Sequence, residues 1–220
     1  MINFPCSNII LTRFVPYKNL VCVFNEFYGK IYATGNAKTL DFLWPGTIFS
    51  CVLTQKNSKN FMINDAQRVT QVVKFDFEQL IWAQKFMQLC TKIFPLEQQC
   101  LETFQMLQQI FQFPWHKATS PLTLMLQKIC VIRLLQVSGY IFNRQIDLFN
   151  KIFNFFMHSR VDLRALSEIE SFVNEFSIID EKYSLLIAQA QNSLPHNVVD
   201  DFFQLLESTQ IKYSLKNDKI

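Results

Sequence analysis

The chain has 220 residues, half of them hydrophobic, and a net charge of +3, which excludes global disorder and allows one large domain or two small ones. Its charge is unevenly placed: residues 1–75 carry eight basic and three acidic side chains, whereas residues 76–220 carry thirteen basic and fifteen acidic. The N-terminal third thus holds all of the surplus positive charge, as a surface that concentrates polyanions would.

The first third reads as β-structure. Residues 8–15 are apolar and β-branched and stop at Pro16. Residues 19–24 form a second run, Asn25 to Gly29 a turn, and residues 30–34 a third strand. Gly35, Asn36 and Ala37 make a loop, residues 47–54 a fourth strand, and residues 61–64 the return arm of a hairpin. Short strands at this spacing predict a small barrel or sandwich, and the length suits a five-stranded oligonucleotide-binding (OB) barrel.

The pattern changes near Phe75. Phe77, Leu80, Ile81, Ala83, Gln84 and Met87 recur at helical spacing behind Asp76, an N-cap type, and this helix is expected to end at Phe94 before Pro95. A second helix is predicted over residues 96–113, with Leu101, Phe104, Leu107, Ile110 and Phe111 on one face. Ser120-Pro121 opens a third, which Ser138-Gly139 stops after Val137. Further helices are predicted over 145–158, 167–176, 181–191 and 198–210, before a polar tail from Lys212 expected to fray. The expected fold class is α+β: an OB-like basic β-barrel over residues 1–75 and an all-α domain over 76–220.

The sequence holds no phosphate-binding loop, no nucleophile elbow and no zinc-protease motif, and its four glycines are too few for a glycine-rich phosphate cradle. Six cysteines and three histidines fall at no metal-ligand spacing, so neither a metal site nor another cofactor is expected. The start lacks the pattern of a secretory leader, and the longest apolar stretch, residues 122–142, is broken by polar residues. A cytoplasmic, non-enzymatic protein without a membrane span is the expectation.

Single-stranded nucleic-acid binding needs cations along the phosphates and aromatic faces for the bases. The N-terminal module supplies both, with Arg13, Lys18, Lys30 and Lys38 interleaved among Tyr17, Tyr28 and Tyr32. On a strand, Lys30 and Tyr32 share one face while Ile31 and Ala33 point into a core. Gly35 is expected to turn the chain tightly and to expose backbone amides beside Lys38. Each of these tyrosines is about as well explained by a place at the edge of the barrel core.

The order of these features resembles the bacterial RecO recombination mediator family. The likeness covers most of residues 8–140. It rests on the apolar run Ile9, Ile10 and Leu11 followed by Arg13 and Tyr17, on Leu20, Val21, Phe24, Gly29, Gly35, Ala37 and Lys38, on Leu43-Trp44-Pro45, and on residues 129–135 followed by Gly139-Tyr140. Residues Ile141, Phe142, Asn143 and Arg144 stand where many members carry a four-cysteine zinc site, so no zinc is implied. Lys18 and Asn19 stand where an acidic residue is usual. The resemblance implies a DNA repair factor that binds single- and double-stranded DNA, anneals complementary strands, and works with a RecR-like protein and the single-strand-binding protein to load the recombinase. By matching position it places Arg13, Tyr17, Gly35 and Lys38 on the DNA surface; charge and face add Lys18, Lys30 and Tyr32. Two other classes compete: a helical protein-interaction adaptor with a structural β-module, and an enzyme whose site is assembled from scattered residues.

Overall fold

The structure is a computed structural model; it describes residues 3–13, 19–41, 43–57, 60–69, 75–118, 120–141, 147–158 and 173–217. The chain divides into two compact units, Met1–His116 and Lys117–Ile220.

Five strands build the first unit's barrel: β1 (Asn3–Arg13), β2 (Leu20–Asn25), β3 (Gly29–Thr34), β4 (Ile48–Asn57) and β5 (Asn60–Arg68). They close in the order β1-β2-β3-β5-β4, all pairs antiparallel except β3 with β5. This is the expected OB-like barrel, followed by helices. Strand alternation sends Ile10, Val21, Val23, Ile31, Ala33, Phe49, Leu53, Phe61 and Ile63 into one buried core. Gly35 and Asn36 form the predicted loop after β3, and from Ala37 the chain winds into a one-turn helix, α1 (Ala37–Leu40), because Asn36 caps it by accepting from the Thr39 amide at 2.7 Å. α1 adds Leu40 to the barrel core.

Two helices belong to the same unit. α2 (Phe77–Ile93) starts as its sequence says, at a capping box between Asp76 and Gln79, with the Gln79 amide donating to Asp76 Oδ1 at 2.8 Å and the Asp76 amide to Gln79 Oε1 at 3.0 Å. Its buried stripe is Trp82, Ala83, Phe86, Met87, Cys90 and Ile93, while Phe77 and Leu80, expected on that face, are exposed. α3 (Leu101–Gln112) is shorter than predicted. The residues before it run alongside β3: Leu96 bridges to Lys30, and the Glu97 amide donates to the Lys30 carbonyl at 2.9 Å.

Gly29 shows how closely this segment passes. Its φ is +68°, and a Cβ placed there would lie 1.8 Å from the Gln98 carbonyl oxygen. Only glycine fits both demands. α2 and α3 also pack on β1. The boundary expected near residue 75 therefore falls inside the first unit: the barrel's outer face carries buried Ile9, Leu11, Cys22 and Phe24, and it needs these helices as its cover.

The second unit is helical: α4 (Ser120–Val137), α5 (Asp147–His158), α6 (Val173–Gln191) and α7 (His196–Asn217). α4 begins and ends where its sequence predicts, and Gly139 just beyond it takes φ +79°. Because α4 is apolar on nearly all sides it is the central helix, and the other three pack against it. The two predicted helices at 167–176 and 181–191 are one, α6, with residues 159–172 outside the described set. α7 continues through the expected frayed tail to Asn217. No helix among the described residues is long and apolar enough to cross a membrane.

Candidate nucleic-acid interface

The outer face of the β2–β3 hairpin is where an OB barrel lays an oligonucleotide. Here that face is a ladder of three cross-strand pairs: Leu20 with Thr34, Cys22 with Tyr32, and Phe24 with Lys30. The pairs differ sharply in exposure.

The Phe24–Lys30 end is covered. Phe94, at the end of α2, meets Phe24 edge-on at a centroid distance of 5.3 Å. Lys30 Nζ donates to the Thr91 carbonyl at 2.6 Å, and Lys30 is only 6% exposed. Thr91 lies in the last turn of α2, where backbone carbonyls lack intrahelical donors and the helix dipole is negative, so an ammonium is favoured there. Burial pushes the Lys30 ammonium below its usual range, with Cys22 and Cys90 acting in the opposite direction. Lys30 is thus withdrawn from the DNA-binding set. The sequence places it on the correct face, but α2 has taken that part of the face.

The Leu20–Thr34 end is open. Tyr32 is 37% exposed, Thr34 is exposed and Leu20 half-buried. Partial burial raises the Tyr32 phenol above its ordinary value, with Cys22 adding to the shift, so Tyr32 is a neutral aromatic at physiological pH. Just beyond Thr34, the Gly35 amide donates to the Asn19 carbonyl at 3.1 Å, which ties this end to the β1–β2 connection. That bond revises the expectation for Gly35: its amide is committed to the barrel instead of being offered to a phosphate. The absence of a side chain serves packing, since a Cβ would sit 3.0 Å from Leu40 Cδ2. Three residues on, Lys38 is exposed on α1.

Arg13 ends β1, its backbone opposite Val21. Tyr17 and Lys18 lie outside the described residues. The structure therefore brings Tyr32, Gly35 and Lys38 to one end of the hairpin and separates Lys30 from them. Tyr28 packs on Phe61 at 5.0 Å between centroids, against the core, in the structural role that was its alternative. Trp44, 63% exposed between α1 and β4, is an aromatic face that enters the sequence reading only through a motif. Its signal was the turn chemistry of Pro45-Gly46, which holds the preceding residue at the surface.

No group of three or more His, Cys, Asp or Glu among the described residues is placed to hold a metal ion. All six cysteines are free thiols. The chain matches no protein-family model and no curated protein.

Proposed function

We propose that this chain binds nucleic acid at the open end of the β2–β3 face, and that it acts as a DNA repair and recombination mediator of the RecO kind. The observation that carries the reading is a barrel with the β1-β2-β3-β5-β4 order whose hairpin end exposes Tyr32 and, four residues after Thr34, Lys38, in the part of the chain that holds the surplus positive charge. The work such a site does is binding alone. Lysines neutralise phosphates and release counterions, Tyr32 offers a face on which a base stacks, and strands held this way meet and anneal without bond chemistry. The resemblance adds the partners: single- and double-stranded DNA, a RecR-like protein and the single-strand-binding protein. Free thiols throughout agree with a reducing cytoplasm.

The test is anisotropy of a fluorescent single-stranded oligonucleotide titrated with the full chain at low and high salt, followed by annealing of complementary strands. Binding that weakens steeply with salt, together with accelerated annealing, is expected. No binding at low salt would overturn the reading and favour the protein-interaction adaptor.

A further inference from the structure

Inside the first unit's barrel, away from the open hairpin end, two cysteines face each other. Cys6 on β1 and Cys51 on β4 are directly opposed in register, and both side chains point into the core. Opposed residues of an antiparallel pair have Cα atoms about 4.5–5.5 Å apart, inside the range that a disulfide spans. The two sulfurs converge on one donor: Asn8 Nδ2 lies 3.4 Å from Cys6 Sγ and 3.2 Å from Cys51 Sγ.

Asn8 is itself held in place. Asn25 Nδ2 donates to Asn8 Oδ1 at 2.8 Å, and Asn25 Oδ1 accepts from the Phe27 and Tyr28 amides at 2.8 and 2.9 Å. Both asparagines are fully buried. The arrangement aims one buried amide, Asn8, at both sulfurs, its Nδ2 also donating to the Cys6 carbonyl at 3.2 Å, and Asn25 fixes its orientation. It becomes useful if one sulfur carries negative charge, because a donor within reach of a thiolate stabilises it.

We propose that Cys6 and Cys51 form an oxidisable dithiol that hydrogen peroxide closes to a cross-strand disulfide. Cys6 is the attacking thiolate and Cys51 the resolving thiol. The Cys6 sulfur attacks a peroxide oxygen, the O–O bond breaks, and hydroxide leaves and takes up the proton that Cys6 released. Cys6 is now a sulfenic acid. The Cys51 sulfur attacks it, the S–O bond breaks, and the departing hydroxide takes the Cys51 proton as water. The two sulfurs together lose two electrons and the peroxide is reduced to water.

The assignment of roles follows the surroundings. The hydrogen bond from Cys51 lowers the Cys6 thiol to about 7, with help from Asn8 and Asn25 and against burial and Glu26. The Cys51 thiol is pushed up by that same bond and by burial. The other core thiols lack such a setting: Cys22, Cys90 and Cys130 are completely buried, and desolvation raises all three. Cys6 and Cys51 keep 5% and 4% exposure.

The experiment treats the wild-type full chain with hydrogen peroxide above neutral pH, blocks remaining thiols in denaturant, and maps the products by non-reducing mass spectrometry. The expected result is a loss of two hydrogens from the intact chain, a Cys6 peptide linked to a Cys51 peptide, and reversal by dithiothreitol. Cys51→Ser should stop at a Cys6 sulfenic acid trapped by dimedone. Asn8→Ala should slow the reaction about tenfold and raise its pH midpoint, the effect of one lost hydrogen bond to a thiolate. Recovery of Cys6 and Cys51 as free thiols under exposure that oxidises the part-exposed Cys100 would overturn the proposal. So would a link between any other pair.

Discussion

The two ends of the β2–β3 hairpin have the same alternation and strand geometry, and the end with Phe24 and Lys30 carries an aromatic and a basic side chain, yet it is the other end that is exposed. Around Phe24 and Lys30 the face is an internal surface, sealed by Phe94 and the last turn of α2. Around Leu20, Tyr32 and Thr34 it is open. A strand's periodicity tells which residues share a face. What covers that face is decided by elements far along the chain.

The sharpest way to break the comparison is charge reversal at the covered end. Lys30→Glu would bury a carboxylate against the Thr91 carbonyl and the negative end of a helix, and should destabilise the chain by about 3–5 kcal/mol in urea denaturation. Loss below about 1 kcal/mol would show that α2 does not seal this end. Next in size, Gly29→Ala meets both a positive φ and the Gln98 carbonyl, and should cost about 2 kcal/mol or more by the same measurement.

Lys30 also gives the comparison a pH signature. Its folded value is depressed, so between that value and its ordinary 10.5 the unfolded chain binds more protons than the folded one. Stability of the wild type relative to Lys30→Met should therefore rise with pH through that window and level off above it. Below the window the ammonium is charged in both states and its desolvation penalty is felt in full. Parallel pH profiles for the two proteins would mean Lys30 is not desolvated. The smallest stability effects belong to the open end: Tyr32→Ala and Lys38→Glu should each shift stability by no more than about 0.5 kcal/mol. In binding they should matter: Tyr32→Ala should weaken single-strand affinity by about 1–3 kcal/mol, and Lys38→Glu should flatten the salt slope by about one phosphate contact or more.

Much of the fold is legible in the sequence because local chemistry writes it. Strands β2 to β4, the helix start at Asp76 and the span of α4 from Ser120 to Val137 follow from β-branched runs, caps and stops, whereas β1 begins at Asn3, five residues before the predicted run at 8–15. The other misses share one cause. Phe77 and Leu80 continue an apolar period yet are exposed, because α2 buries its Trp82–Phe86–Cys90 stripe, with Trp82 packed on Trp115 at 5.3 Å. Strand alternation puts Lys30 on the correct face, but a tertiary contact sixty-one residues away in sequence takes it. The unit boundary moved from near residue 75 to His116 for the same reason: the apolar outer face of β1 and β2 reads as a strand pattern and does not name its cover. At the site, Lys38 follows β3 closely because only three residues, Gly35, Asn36 and Ala37, separate it from Thr34, whereas the expected pairing of Tyr32 with Lys30 is broken by α2.

The measurement that tests the central claim most directly is single-strand affinity of two variants with matched stability, the double variant Tyr32→Ala with Lys38→Glu, and Lys30→Met. If the open end is the interface, the first should lose at least about tenfold in affinity and some of its salt dependence, and the second should bind like the wild type. Equal losses in both, or a loss confined to Lys30→Met, would contradict the account.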